Sequence, residues 1–373
     1  MLIKIDGRRL SAIAAACSCV SAMAVLTGAP TPARACTTSS FSSSGGSSSG
    51  VDCVESQRAA IVGQTQREQS RENVNLVSGR ISAALTIGLG SRQQAEATPQ
   101  GNTIITGLSG GDGQNAASIC GTYSHSWLKN SWALLNSKTD LNTGLIGGDI
   151  KLSDNVLVGV AGTIQGADTA NKAANGSLDA MTYSLTPYGA ISFLNSRVVL
   201  DAMAGIGMSQ TDSIRGRNTI NATGNYKGDT WMAATHATYN HPIGNILLSG
   251  KLGWMSSHGH TNRFTESDNS VNRAKNTDIG ELSFGTRASY TMGSFQPYLG
   301  LTYAYDPILR PADPVSTAGF ATTDNLSRQQ LDGLIGVNWQ PTEKATISAE
   351  LSNMFLRNHE SNTTAMVAGR YSF

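Results

Sequence analysis

Six histidines are the first candidates for chemistry in the 373-residue chain. His258 and His260 flank Gly259, and two imidazoles at that spacing bind a metal weakly. The Asn/Thr/Ser-rich surroundings favour a solvated outer loop instead, and no metal is expected. His236 and His241 fall beside a short turn, His125 precedes the first regular run, and His359 has no evident partner. A serine hydrolase needs Ser, His and an acid brought together. The chain shows no G-x-S-x-G elbow, no H-E-x-x-H pair and no P-loop. No catalytic residue and no cofactor is therefore expected.

Ionised residues within otherwise apolar or small-residue runs are more informative. They are Asp149, Lys151, Asp201, Lys251, Glu281, Arg287, Asp332, Glu350 and Arg370. Such charges need water or each other. Either they form a structural network of pairs, or they line a pore and set its ion selectivity. Three of the five cysteines, Cys36, Cys53 and Cys120, lie outside the N-terminal leader described below. A Cys36–Cys53 disulfide would close a short loop, and the lack of C-x-x-C spacing argues against zinc.

The elements that must position these charges are strands. Charged residues are only 14% of the chain, against about 25% in soluble proteins. Glycine numbers 40, aromatics are 6%, and the formal net charge is +1. Nothing is basic enough for nucleic acid. A mean hydropathy of −0.17 excludes a polytopic helical membrane protein. From about residue 128, twelve runs alternate with period two: 128–137, 144–152, 156–165, 179–193, 197–209, 227–239, 245–255, 278–291, 295–305, 328–339, 344–356 and 363–373. Connections alternate between short turns and longer loops, the latter near 166–178, 210–226, 256–277 and 306–327, which is the rhythm of a transmembrane barrel.

The faces separate residue by residue. Along 197–209, Val198, Leu200, Ala202, Ala204, Ile206 and Met208 share one face, while Asp201, Gly205 and Gly207 share the other with Val199 and Met203 as exceptions. Along 245–255, Ile246, Leu248, Leu252 and Trp254 oppose Ser249, Lys251 and Gly253. A charge facing lipid at the midplane costs roughly 2–4 kcal/mol for Arg or Lys, so the charged face must look inward. Trp254, Tyr305, Trp339 and Tyr371 sit near run ends, as interfacial girdles do. Backbone in lipid must be fully paired, so the sheet must close. The expected fold is all-β: a closed antiparallel transmembrane barrel of twelve strands, preceded by a polar helix and linkers.

The preceding residues divide by composition. Residues 1–35 read as a signal peptide, with Lys4, Arg8 and Arg9 before an apolar stretch and cleavage at Ala33-Arg34-Ala35. Residues 36–53 form a Ser/Gly-rich linker and 86–127 a Gly/Ser/Asn-rich one. Residues 54–85 lack proline, are rich in Gln, Arg, Glu and Ala, and read as a helix with Glu68 and Arg71 as neighbours. That helix is either solvated or lies polar in a water-filled lumen. Val367, Gly369, Tyr371 and Phe373 alternate on one face at the end of the chain.

With this final GRYSF, the segments LIGGDIKLSDNVLVGVAG (145–162) and YSLTPYGAISFLNSRVVLDAMAGIG (183–207) make residues 128–373 resemble the translocator domain of an autotransporter. The resemblance implies an outer-membrane barrel whose upstream segment threads the pore to expose or secrete a passenger. It implies outer-membrane lipid, the secretion translocon and the barrel-assembly machinery as partners, and Val367, Gly369, Tyr371 and Phe373 as the assembly signal. Here the barrel would anchor, and expose, a short N-terminal segment. The alternatives are a passive pore without a passenger and, more remotely, an outer-membrane phospholipase with Ser and His near the outer rim. A monomer without enzymatic activity is the expectation.

Overall fold

The computed structural model describes residues 49–86, 117–132, 135–172, 175–217, 220–310 and 327–373. One helix, α1 (Ser49–Thr86), precedes the strands. These are β1 (Ala117–Asn130), β2 (Ser137–Ser153), β3 (Val156–Asn171), β4 (Gly176–Phe193), β5 (Val198–Arg217), β6 (Ile220–Ile243) and β7 (Ile246–Thr261). They continue with β8 (Phe264–Thr265), β9 (Val271–Asn272), β10 (Lys275–Tyr290), β11 (Phe295–Arg310), β12 (Gln329–Thr342), β13 (Ala345–Phe355) and β14 (Glu360–Ser372). Strands β8 and β9 form a small hairpin of their own, and the other twelve close into a barrel of antiparallel neighbours. Closure pairs β1 with β14, and beyond that ladder the Phe373 amide donates to the Ala117 carbonyl at 3.0 Å. No amide edge is left for lipid to meet.

The period-two pattern explains which face looks where. Ile146, Ile164, Leu185, Ile206, Leu252, Phe284, Ile335 and Val367 are exposed on the outer wall. Thr143, Thr163, Thr186, Ser124 and Asn240 are buried on the inner one. On β6 the exposed Trp231 and Tyr239 are eight residues apart, roughly 27 Å along the strand. That is on the order of the ~25 Å apolar band of such barrels. Trp339 stacks on Phe295 with centroids 6.1 Å apart near one rim.

Three expectations are corrected. The first strand is not 128–137 but Ala117–Asn130, so the barrel begins eleven residues before 128. Its lipid face, Ile119, Gly121, Tyr123, His125 and Trp127, has little apolar contrast with neighbouring Cys and Thr, which hid it. The apolar Trp132 and Leu135 imitate a strand but pack beside Ile61 of the helix. His125 therefore lies within β1, bonded through Nδ1 to Asn142 at 2.8 Å. The expected outer loops near 166–178 and 210–226 are mostly strand, because pairing continues beyond the lipid band, where alternation no longer has a reason to persist. His258 and His260 likewise sit in β7, bonded to Asp278 at 2.7 Å and Asn276 at 2.6 Å. The helix extends beyond 54–85 at both ends.

Above the apolar band, Asp140, Asp168, Asp179 and Asp212 stand side by side across β2–β5. Like charges directly opposite one another destabilise a sheet. Asp179→Asn should raise resistance to urea at neutral pH, with the gain shrinking under acid, where the aspartates protonate; equal or lower resistance would contradict the repulsion. Ile206→Arg on the lipid face should destabilise the vesicle-inserted barrel by about 2–4 kcal/mol, while Thr302→Lys on the lumen face should cost much less. Urea titration in lipid vesicles measures both.

Candidate functional site

The helix α1 lies along the inner wall of β2–β7 and β10. Its 38 residues rise roughly 57 Å, longer than the ~30 Å hydrocarbon core. Among the described residues no helix is long and apolar enough to cross a membrane. This helix is instead seated within the lumen. Absence of proline and abundance of Ala, Gln, Glu and Arg give it adequate propensity, and the wall supplies the rest.

The seat changes character along the axis. Toward the C-terminal end of α1, Val74, Val77, Ile81, Ala84 and Leu85 recur at helical spacing. They pack in one cluster with Leu145, Leu157, Val199, Met203, Met232 and Met255 of the barrel. Val199 and Met203, exceptions to the alternation of β5, are thus inward residues covered by the helix. The middle of α1 is polar and meets a polar wall. Ser70 Oγ lies 2.8 Å from Ser257 Oγ. Glu72 accepts from the Ser124 hydroxyl and from Thr143 at 2.9 Å. Asn73 accepts from Thr163 and donates to Ser184, both at 3.2 Å.

Ion pairs fix the register of helix against barrel. Arg67 reaches Glu360 at 2.8 Å, and Arg357 joins the same carboxylate at 3.0 Å and Asp306 at 2.5 Å. Arg71 pairs with Glu281 at 2.6 Å, Asp332 at 2.9 Å and its own Glu68 at 3.5 Å. Arg80 pairs with Asp149 at 3.1 Å and lies over the Tyr188 ring. Asp149 also holds Arg370 at 2.6 Å. Two glycines make room: a Cβ on Gly147 would stand on the Arg80 guanidinium, and one on Gly259 would stand on the Gln66 amide.

At the other end the β8–β9 hairpin reaches onto the helix. Glu266, buried, is shared between Arg58 of α1 and Arg215 of β5. Asp268 holds Arg215 at 2.7 Å, and Phe264 stacks on Tyr226 with centroids 4.4 Å apart. Helix direction follows from these contacts. Arg58 lies at the end with the long connections, and Arg80 at the end with the short turns, where β1 starts.

Of the ionised residues singled out from sequence, Asp149, Glu281 and Asp332 meet helix arginines, and Lys251 donates to Ser78 at 2.6 Å. Arg370 joins Asp149, Asp201 accepts from His236 Nδ1–H at 2.7 Å, and Glu350 accepts from Tyr298 at 3.1 Å. Arg287 lies over the Tyr298 ring, and Lys151 sits partly exposed near the end of β2. Val367, Tyr371 and Phe373 are exposed on the outer wall. Ala33, Ala35 and Cys36 lie outside the described residues, as does the Cys53 side chain. Cys120 is a buried free thiol. Of the helix partners, Arg71 shows in the sequence only as a neighbour of Glu68, and Arg58, Arg67 and Arg80 carry no signal of their own. The hint was joint: a polar helix and charged strand positions that each lacked a counterpart.

A family model described as the autotransporter β-domain matches residues 119–352. The chain belongs to the autotransporter β-domain family. Its fold is also that of the translocator domain of NalP from Neisseria meningitidis (TM-score 0.62, 11% identity, 82% of this chain and 98% of that one). The β-domain of BrkA from Bordetella gives a TM-score of 0.55 at 14% identity, covering 70% of this chain and 100% of the other. The transport unit of AIDA-I from Escherichia coli gives 0.51 at 15% identity, covering 77% and 99%. No curated protein matches the sequence. This autotransporter barrel is an outer-membrane protein with a helix inside it, from a family that contacts outer-membrane lipid and the assembly machinery and is typically non-enzymatic. Short turns face the periplasm in such barrels, so the Arg58 end of α1 is the outer end.

Removing one partner from a buried ion pair leaves an uncompensated charge, at a cost of about 3–5 kcal/mol. Arg71→Met should destabilise the barrel by that order in urea titration and speed amide exchange in α1. Adding Glu281→Gln and Asp332→Asn should recover part of the loss; no recovery would mean that Arg71 acts by packing alone.

Proposed function

We propose that the protein anchors a short N-terminal segment in the outer membrane and displays it at the cell surface. The observation that carries the reading is the direction of α1: its first turns lie at the outer mouth and its last turns at the periplasmic one. A chain entering α1 from upstream then comes from the outside, and the chain leaving it reaches β1 on the periplasmic side. The Ser/Gly-rich residues 37–48 have the composition of a soluble tether. Residues 1–35 serve as the export signal, delivered through the secretion translocon and cleaved after Ala35. The outward Val367, Gly369, Tyr371 and Phe373 serve as the recognition strand for barrel assembly.

The role is mechanical rather than catalytic, and one chain suffices for it, since the twelve strands close on themselves. An open passive pore is less well supported, because the helix and its ion pairs fill much of the lumen. The decisive experiment places an epitope at Ser44 and probes intact cells with antibody and external protease. Labelling and cleavage without permeabilisation are expected. Protection on intact cells, with labelling after lysis, would overturn the display reading.

A further inference from the structure

Helix α1 packs against β2–β7 and β10 and leaves a cavity of about 370 Å³ between itself and the opposite wall. Toward the periplasm the cavity reaches Gln296, Asn338 and Ser348, partly exposed residues near the short turns. As many Arg and Lys as Asp and Glu side chains line it, so its walls repel neither sign of ion. Toward the outside it stops at Gln330, Asp332, Met354 and Asn362.

Beyond those residues lies a buried knot of charge. Arg357, in the connection between β13 and β14, donates to Asp306 of β11 at 2.5 Å and to Gln330 of β12 at 2.6 Å, and pairs with Glu360 of β14 at 3.0 Å. Arg67 crosses from α1 to the same Glu360 at 2.8 Å. None of these four ionised side chains is more than 4% exposed. The backbone is bent to bring Arg357 inward: Leu356 and His359, on either side of it, hold φ of 62° and 63° in the left-handed region, which neither side chain favours. Strain of this kind persists where surrounding contacts over-determine it. On the outer side of the knot, a pocket of about 10 Å³ beside Gln64, Arg67 and Glu360 has room for one water at most.

We propose that this knot is a permeability seal. An ion crosses a barrel only along a continuous path of water or polar ligands. The cavity supplies that path from the periplasm to mid-height, and the knot interrupts it. The helix thus closes one side of the lumen, and Arg357 with its partners closes the other. Removing one member of the knot leaves its partners with an unmatched charge, which draws in water. The sign of that charge then sets which ions pass, as charged rings do in channels.

The test uses the full chain in planar bilayers, with α1 held in its seat by a Ser70→Cys/Ser257→Cys disulfide, since those two hydroxyl oxygens are 2.8 Å apart. Heat-modifiable mobility selects folded barrels. The locked parent should pass no resolvable current in potassium chloride. Locked Arg357→Ala should open in discrete steps, with a reversal potential in a salt gradient shifted toward cations. Locked Glu360→Ala should also open and shift toward anions, and it keeps the test alive should the first variant misfold. Arg357→Lys, which keeps the charge, should leak less than Arg357→Ala. A locked parent that conducts as well as the variants would overturn the seal. So would folded, locked Arg357→Ala and Glu360→Ala barrels that both stay closed, or that both open with the same ion preference.

Discussion

A charge on the inner wall of a membrane barrel has to find its counter-charge inside that barrel. Lipid lies on the other side of a single sheet, and moving the side chain outward costs several kilocalories. In this chain the counter-charges arrive on a separate element. Arg67, Arg71 and Arg80 of α1 meet carboxylates from β2, β10, β11, β12 and β14. The strand aspartates and glutamates would be poorly matched without the helix, and the helix arginines would be stranded without the barrel. The pairing fixes depth and rotation together.

The interior combines two kinds of contact that do different work. The apolar cluster around Val77 and Ile81 supplies non-directional burial against β2–β7. The ion pairs supply register, since each carboxylate accepts its partner at one height only. Burial alone would let a helix slide by a turn; Arg71 between Glu281 and Asp332 resists that slide. The glycines at 147 and 259 then act as clearances cut for specific side chains of the helix.

Much of the barrel was legible in the sequence because lipid imposes a strict rule on each strand. β5, β7 and β13 alternate plainly, and their charged positions pointed to the inner face. What escaped was whatever lipid does not police. β1 was missed because its faces differ little in polarity, and the upper parts of β3–β6 were mistaken for loops because they rise above the apolar band. Val199 and Met203 looked like noise in the alternation, yet they mark the patch that the helix covers. The ion pairs between α1 and the barrel join residues more than 60 positions apart, and no local pattern announces such partners. Composition showed that charges had to be satisfied without showing by whom.

The position of α1 inside the wall is the claim on which direction, seating and display all depend. Ser70 of the helix and Ser257 of β7 bring their hydroxyl oxygens to 2.8 Å, close enough for a disulfide between cysteines at the same sites. The direct measurement is oxidative cross-linking of a Ser70→Cys/Ser257→Cys protein in intact outer membranes. Cys120→Ser in the same background removes the buried thiol as a competing partner. A rapid, near-complete cross-link, absent when Cys is moved from Ser257 to the lipid-facing Trp254, is the predicted result. Failure of the 70–257 pair to cross-link in a correctly inserted barrel would contradict the account.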